Sequence, residues 1–376
     1  AQQVWFGGPF VLGTVPVKEL PEASGIVAST TNPDVVWLHN DSGDEPRLYA
    51  LSTKGALLTT VKLGNATARD WEDIAYGPGP DKGTMYLYVA DIGDNDAKRK
   101  DITVYRVAEP SVGGKTSKQS LALNNIVADV FTFRYPDGAR DAEALLVDPR
   151  TQDIFIVTKR DKQARLYRAA APHTTGTTRT LEFVSTLPMT LITGGDIAHD
   201  GSAIILKDYL HVWHWKRGAS ESVAAALKRP GTRVTYMPEA QGEAICFTAK
   251  DDGYYTVSER EDGGSSAPLI FYPQVRSEKE AASTRDAKIP LISVEPSKDT
   301  PGIYDLRYVI PEVSRVDVTV VNALMMKVID VASESGEAGV QEREIDLIDQ
   351  PTGSYAVVIR LNTGAVVTAT IDHKKP

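Results

Sequence analysis

Short apolar runs separated by turn residues repeat along most of the chain. Each run holds four to six residues rich in Val, Ile, Leu and aromatic side chains, and each is bounded by Gly, Pro, Asp or Asn. Such runs predict β-strands joined by tight turns. The clearest runs are almost continuously apolar, which indicates strands covered on both faces. They are Val35–His39, Met85–Val89, Ile154–Val157, Ala203–Leu206 and Tyr254–Val257.

A short polar phrase that opens into an apolar strand occurs five times. The five copies are Glu22–Ile26, Asp70–Ile74, Asp141–Leu145, Thr193–Ile197 and Gln241–Ile245. Their third residues, Ser24, Glu72, Glu143, Gly195 and Glu243, form what we call the column, with steps of 48, 71, 52 and 48 residues. A repeat of about 40–50 residues is typical of β-propellers, in which each repeat forms a four-stranded blade.

The sequence therefore predicts an all-β chain whose residues 1–274 form a five-bladed β-propeller, with six blades as the alternative. The fifth repeat lacks a fourth strand, and the apolar segment Phe10–Val15 supplies one, which closes the ring and removes an open sheet edge. The longest step holds an insertion near Ala108–Asn125 that is rich in Gly, Ser and Lys. This insertion is predicted to be a surface loop.

The chain changes character after the fifth repeat. Residues 275–289 are charged and lack a strand pattern, which predicts a linker. Residues 290–376 carry six or seven β-rich runs. That density predicts a small immunoglobulin-like β-sandwich.

Composition excludes several classes of function. The 376 residues carry a net charge of −9 without a Lys/Arg block, which argues against nucleic acid as a partner. No apolar stretch is long enough for a transmembrane segment. The start Ala1-Gln2-Gln3 fits a mature chain whose export signal has been removed, so we expect a secreted or outer-cell-surface protein. Cys246, the single cysteine, lies in an apolar strand and is expected to be a small buried hydrophobe.

Carboxylates are expected to meet where the polar phrases begin. Because alternate residues of a strand share a face, Asp70 is expected beside Glu72 and Asp141 beside Glu143, with Glu243 joining them around the channel. Neighbouring carboxylates raise one another's pKa unless a cation compensates. A structural ion-pair network that neutralises the ring is the competing interpretation.

The ends of the second strands lie on the same face and differ in charge. The first two repeats supply His39, Asp41, Asp91 and Asp94, and the later ones supply Lys159, Arg160, Lys207 and Arg260. An acidic, oxygen-rich sector suits Ca²⁺, for which we predict the ligands Asp41, Asp91, Asp94 and Glu72. A basic sector suits an anionic group. His39 is the best candidate for a histidine in the site.

The tail resembles the C-terminal sorting domain of type IX secretion substrates. The likeness rests on five elements in order, namely Ser293-Val-Glu-Pro-Ser, Leu306-Arg-Tyr-Val-Ile-Pro-Glu, Val316-Asp-Val-Thr-Val-Val-Asn-Ala, Gly353-Ser-Tyr-Ala-Val-Val-Ile-Arg-Leu and a Lys-rich end. The resemblance implies export through the outer membrane of Bacteroidetes-type bacteria by a secretion machinery that reads this domain. It also implies release or attachment at the cell surface.

The repeats resemble a family of uncharacterised secreted bacterial propellers. The phrases that carry this likeness are Trp37-Leu-His-Asn-Asp-Ser-Gly, Asp70-Trp-Glu-Asp-Ile-Ala, Asp91-Ile-Gly-Asp-Asn and Asp141-Ala-Glu-Ala-Leu. More distantly, the chain is similar to phytase-like and gluconolactonase-like propellers. That similarity implies acidic residues facing the central channel.

Three functions remain open from the sequence. The first is a binding propeller that holds a divalent cation and a small polar or anionic ligand or a cell-surface glycan. The second is a metal-dependent hydrolase of a phosphate or other ester or a lactone, in which the acidic residues hold metal or act as base. The third is a structural surface protein in which the carboxylate ring only locks the blades together.

Overall fold

The fold is nearly all-β and divides into a ring of sheets and a C-terminal module. The structure is a computed structural model that describes residues 4–112, 121–239, 241–259, 267–277, 279–280, 292–310, 313–362 and 366–376. One short helix, Val223–Leu227, lies wholly within these ranges. No described helix has the length and apolar character needed to cross a membrane.

Five sheets of four or five strands follow one another along the chain, and in each the first strand carries a polar phrase. From one edge to the other, the first sheet holds Leu121–Ile126, Leu57–Leu63, Arg47–Ser52, Val35–Asn40 and Ala23–Ala28. The second holds, in the same order, Thr178–Thr180, Asp129–Arg134, Ile102–Ala108, Met85–Asp91 and Trp71–Pro78.

The third and fourth sheets have four strands each. The third holds Ala142–Val147, Ile154–Thr158, Arg165–Ala169 and Glu182–Thr186. The fourth holds Gly194–Ile197, Ala203–Lys207, Val212–Lys216 and Thr232–Val234.

The fifth sheet brings the two ends of the ring together. It holds Gly242–Phe247, Gly253–Ser258 and Ala267–Val275, and the last strand also pairs with Trp5–Phe6 and Phe10–Val15. Phe10–Val15 runs antiparallel to Ala267–Val275, as predicted for a closing strand.

The first strands of the five sheets contact one another in a closed cycle. Ala23–Ala28 contacts Trp71–Pro78, followed in turn by Ala142–Val147, Gly194–Ile197 and Gly242–Phe247, which returns to Ala23–Ala28. One buried apolar cluster fills each of the five junctions between neighbouring sheets. The second strand Val35–Asn40 is buried at every position, because sheets pack on both of its faces.

The insertion between the second and third repeats is not entirely a loop. Leu121–Ile126, which overlaps the predicted surface loop Ala108–Asn125, forms a strand parallel to Leu57–Leu63 of the first sheet. Backbone pairing at that otherwise open edge accounts for the difference. The rest of that predicted loop lies partly outside the described residues, as does most of the predicted linker 275–289.

The C-terminal module is formed by two sheets that face each other. One holds Ile292–Pro296, Ile303–Ile310 and Gly339–Asp346, and the other holds Lys327–Gly336, Ser314–Asn322, Gly353–Leu361 and Val366–His373. A single apolar cluster drawn from both sheets, including Leu306, Val318, Ile345 and Val357, forms its core.

Two buried aspartates link first strands across the ring. The Asp73 carboxylate accepts the backbone N–H groups of Ile74 and Leu145, at 2.9 Å each. The Asp196 carboxylate does the same for Ile197 and Phe247, at 2.8 Å. Each carboxylate therefore accepts backbone N–H groups from two first strands and joins neighbouring sheets.

Replacing Asp73 with alanine should lower the free energy of unfolding by about 2–4 kcal/mol, because two buried N–H groups lose their acceptor. Urea denaturation measures the change. Asp96→Ala, at a carboxylate that is 73% exposed, is the control and should change little. Equal stability of the two variants would show that Asp73 does not link the sheets.

Candidate functional site

Four of the five column residues sit at β-bulges. In the first strands, pairing skips one residue between Ala23 and Gly25, Trp71 and Asp73, Ala142 and Ala144, and Gly242 and Ala244. The skipped residues are Ser24, Glu72, Glu143 and Glu243. A bulge re-aims the extra side chain, and here it does so at equivalent points of the ring. The fourth sheet has no such bulge, and Gly195 pairs directly with Leu206.

Three buried carboxylates meet as a result. One carboxylate oxygen from each of Glu72, Glu143 and Glu243 lies within 4.8 Å of the others. Asp41 and Asp70 form a second such group with Glu72, and Asp41 and Glu259 form a third with Glu243. We call these six residues, namely Asp41, Asp70, Glu72, Glu143, Glu243 and Glu259, the acidic cluster.

Gly93 leaves room for two carboxylates of the cluster, those of Glu72 and Asp70. A Cβ atom at this position would overlap Glu72 Oε1 and lie 2.6 Å from Asp70 Oδ2. The absence of a side chain at Gly93 therefore lets these two carboxylates lie against the backbone that follows Asp91.

Lys159 is the cation in direct contact with the cluster among the described residues. Its Nζ donates to Glu143 Oε1 and lies 3.5 Å from Glu243 Oε1. Burial by itself lowers the pKa of Lys159, but the charges of Glu143 and Glu243 outweigh it and hold the amine protonated. The Tyr209 hydroxyl donates to Glu243 Oε1 at 2.8 Å.

Glu143 keeps an unsatisfied oxygen within the cluster. Glu143 is 3% exposed, and its Oε2 has no hydrogen-bond partner among the described residues. An unpartnered oxygen buried beside two further carboxylates is costly, and the cost is removed when a proton or a metal ion binds.

Four carboxyl groups of the cluster, those of Asp41, Glu72, Glu143 and Glu259, resist ionisation. Burial, followed by the charge of Glu243, raises the pKa of Asp41 to about 7 and that of Glu259 to about 9. Burial, followed by the neighbouring carboxylates, raises the pKa values of Glu72 and Glu143 well above the ordinary value for glutamate. The cluster therefore holds protons at neutral pH unless another cation replaces them.

Asp91 and Asp94, which the sequence predicts as calcium ligands, are engaged by Arg99 and belong to none of the carboxylate groupings of the described residues. Asp91 forms a buried ion pair with Arg99 at 2.8 Å. The carboxylate of Asp94 accepts the backbone N–H of Arg99 at 2.6 Å. Arg99 therefore contacts both carboxylates, and the metal-type groupings of the described residues include neither of them.

Asp141 and Arg160 contact each other at the edge of the cluster. Asp141 accepts the Asp94 backbone N–H at 2.9 Å and the Arg160 Nε at 2.6 Å. The Arg160 side chain, which is 47% exposed, also donates to Asn95. These bonds join the second and third sheets and leave part of a guanidinium facing solvent.

Two further predicted site residues, His39 and Lys207, form hydrogen bonds to backbone carbonyls. His39 is fully buried, lies edge-on to Trp71 and bonds through Nδ1 to the Asn40 carbonyl at 2.8 Å. Burial lowers the pKa of His39 to about 4, so its ring is neutral. Lys207 is buried and donates to the Gly242 carbonyl, and burial lowers its pKa to about 8. Arg260 lies outside the described residues.

Two residues of the site are not among those predicted. Glu259 follows the second strand of the fifth sheet and donates its N–H to the Gln241 carbonyl, as Asp41 does to Glu22 and Lys159 does to Asp141. Aligning the second-strand ends by this position would have placed Glu259 in the cluster. Tyr209 has no counterpart in the other repeats, so the repetition gives no signal for it.

Comparison with known proteins finds distant matches among solved structures. No protein-family model matches the chain, and no curated protein does either. A functionally unknown protein from Desulfotomaculum acetoxidans DSM 771 is 13% identical, with 93% of this chain and 99% of that chain covered and a TM-score of 0.30. The Dos1 propeller is 8% identical, with 72% and 95% covered and a TM-score of 0.32. Hydrazine synthase from Kuenenia stuttgartiensis is 12% identical, with 64% and 78% covered and a TM-score of 0.31.

Proposed function

We propose that this chain is a five-bladed β-propeller followed by an immunoglobulin-like sandwich, and that the propeller binds a divalent cation at the acidic cluster. The closed cycle of first strands and the five apolar junctions support the blade count. The convergence of Glu72, Glu143 and Glu243, with Glu143 Oε2 unpartnered among the described residues, is the observation that carries the cation site.

Calcium is the ion that the donor atoms suit best. The cluster offers carboxylate oxygens alone, and hard oxygen ligands in a number of six to eight are what Ca²⁺ takes up. Glu72, Glu243 and Asp41 each belong to two of the three groupings, so they connect the three sets of carboxylates. A bound dication would replace the protons that burial and repulsion otherwise force onto Glu72 and Asp41.

The ligand of the propeller is proposed to be small and polar or anionic, or to be part of a cell-surface glycan. A calcium ion with open coordination positions binds carboxylate, phosphate or hydroxyl oxygens. Arg160, whose side chain is about half exposed beside Asp141, supplies a charged donor for the same ligand.

A structural role is the alternative that one observation favours. Lys159 bridges Glu143 and Glu243, as an ion pair that locks the third and fifth sheets would do. The two functions predict opposite changes in the free energy of unfolding when a carboxylate of the cluster is removed. A structural ion-pair network becomes less stable, whereas a cation site without its metal becomes more stable. Hydrolysis of an ester or lactone would be a further use of the bound cation.

The location that we propose is the outer cell surface or the medium. Its support is the likeness of the C-terminal elements to type IX sorting domains, with the secretion machinery as the partner that the domain would contact. The two facing sheets of the C-terminal module fit this role.

Thermal unfolding with and without calcium tests the cation site. Calcium at about 100 times its Kd should stabilise the folded protein by about 2.7 kcal/mol, seen as a Tm rise of several degrees. Magnesium at the same concentration is the control for ionic strength and should act more weakly, because Mg²⁺ demands smaller, octahedral sites. An unchanged Tm at millimolar calcium would contradict the proposal.

A further inference from the structure

One strand of the C-terminal module is buried on both faces. In Gly353–Leu361, the alternating residues Tyr355, Val357 and Ile359 enter the core between the two sheets of the module. Ala356 and Val358 point the other way and are 0% and 1% exposed. A strand at the outside of a two-sheet sandwich ordinarily alternates apolar and polar residues, so something outside the module covers this face.

The cover is the turn that follows the second strand of the fourth sheet. Leu210, in this turn, is 2% exposed and forms one apolar cluster with Val321, Ala356 and Val358 of the module. Its neighbour Tyr209 packs against the same cluster. The module therefore docks on the propeller through an apolar cluster that includes Leu210.

Polar contacts surround this apolar contact and fix its orientation. The Thr368 hydroxyl donates to the Pro238 carbonyl at 2.8 Å, and Thr368 is 8% exposed. Asp372 of the module pairs with Arg233 of the fourth sheet at 2.5 Å. An apolar centre with a polar rim is the arrangement of a specific protein interface.

The same turn reaches the acidic cluster. Tyr209 extends from beside the module to Glu243, whose Oε1 accepts its hydroxyl at 2.8 Å. The Lys159 Nζ lies 5.2 Å from the centre of the Tyr209 ring. Tyr209 thus contacts the module on one side and two charged groups of the cluster on the other.

We infer that the C-terminal module is a positioning element of the acidic cluster: by covering Leu210 it holds the turn in which Tyr209 orients Glu243. Local support for this turn comes from Asp208 Oδ1, which accepts the N–H groups of Leu210 and His211. Without the module, Leu210 would face water and the turn would lose its apolar anchor. The inference rests on the proposed cation site for its functional consequence.

The test is a double-variant cycle in the full chain, with calcium affinity measured by calorimetry. Leu210→Asp undocks the turn, and Tyr209→Phe removes only the hydroxyl. Each should raise the calcium Kd by about 10-fold, the effect of losing one charge-assisted hydrogen bond. The double variant should be no weaker than either single variant, since both act through the same bond. Val340→Glu, at an apolar residue of the module that is 51% exposed, is the control and should leave the Kd unchanged.

Additive effects in the double variant, or unchanged affinity in Leu210→Asp, would overturn the inference while leaving the cation site intact. If the wild-type protein binds no calcium, the proposed cation site is wrong. The metal-free crystal structure of Leu210→Asp then tests whether the C-terminal module positions Tyr209 against Glu243. The Tyr209 oxygen should then lie beyond hydrogen-bond distance of Glu243, and an unchanged bond would refute the role. Val358→Asp, on the opposite side of the interface, replaces Leu210→Asp if that variant does not fold.

Discussion

Replacing Glu72 with glutamine should weaken calcium binding by about 100-fold, or about 2.8 kcal/mol. Glu72 belongs to two of the three carboxylate groupings, so the substitution removes one charge from both while keeping the shape of the side chain. The amide oxygen still coordinates but carries no net charge, and hard dications favour charged oxygen ligands. Titration calorimetry in matched buffers gives the affinity of each protein.

The same variant should be more stable than the wild-type protein when calcium is absent. Burial and the charge of Glu143 oppose ionisation of Glu72, so the neutral amide relieves a destabilising term at pH 8. Glu182→Gln, at a side chain that is 61% exposed, is the control and should change neither quantity. A Glu72→Gln protein that binds calcium normally and melts earlier would favour the structural network instead.

Between pH 6.5 and 8, the metal-free protein should lose about 2 kcal/mol of stability. The unfolded chain has ordinary carboxyl pKa values near 4 and holds no carboxyl protons in this range. The folded chain keeps protons on Glu259, with a pKa of about 9, and on Asp41, with a pKa of about 7. Because the folded state binds more protons, its stability falls as the pH rises toward these folded values.

Saturating calcium should reduce this loss, because the ion binds the deprotonated carboxylates of the cluster and replaces their protons. Asp196 and Glu239, whose pKa values burial raises to about 7, lie outside the cluster and keep their share of the loss. Opposing groups titrate largely outside the range. The histidines His39 and His214 have pKa values lowered to about 4 by burial, so they add stability as the pH rises only up to about 6.5. Lys207, with a pKa lowered to about 8, adds stability above that value. Urea unfolding at several pH values measures both curves, and a metal-free curve that is flat or rising would refute the account.

Much of the ring could be predicted from the sequence because repeated sequence segments form equivalent strands in successive sheets. The spacing of the polar phrases located the first strands, and the missing fourth strand of the last repeat pointed to Phe10–Val15, which pairs as predicted. Glu72, Glu143 and Glu243 also meet as expected. Strands pack in equivalent ways when their sequences repeat, so one column of residues shares one environment.

The local geometry of the site could not be predicted in the same way. The β-bulges at Glu72 and Glu143 require no particular residue type, so the pattern of apolar and polar residues along the strand does not indicate them. Asp91 looked like a free ligand because its partner Arg99 lies in a polar loop eight residues later. Lys159 was expected in a separate basic sector, but its side chain enters the carboxylates themselves.

Docking of the C-terminal module leaves a signal in the sequence that the repeats do not carry. The run Tyr355-Ala-Val-Val-Ile359 is continuously apolar, where an exposed sandwich strand would alternate. The pattern indicates a second covered face but does not identify Leu210 as the residue that covers it. Contacts between domains depend on orientation, which strand periodicity does not encode.

A crystal structure of the protein grown with calcium decides whether the acidic cluster holds an ion. We expect an ion with oxygen contacts of about 2.3–2.6 Å, bound between Glu72, Glu143 and Glu243 and confirmed by anomalous scattering. A channel that holds no ion at saturating calcium, with Lys159 still bridging Glu143 and Glu243, would contradict it.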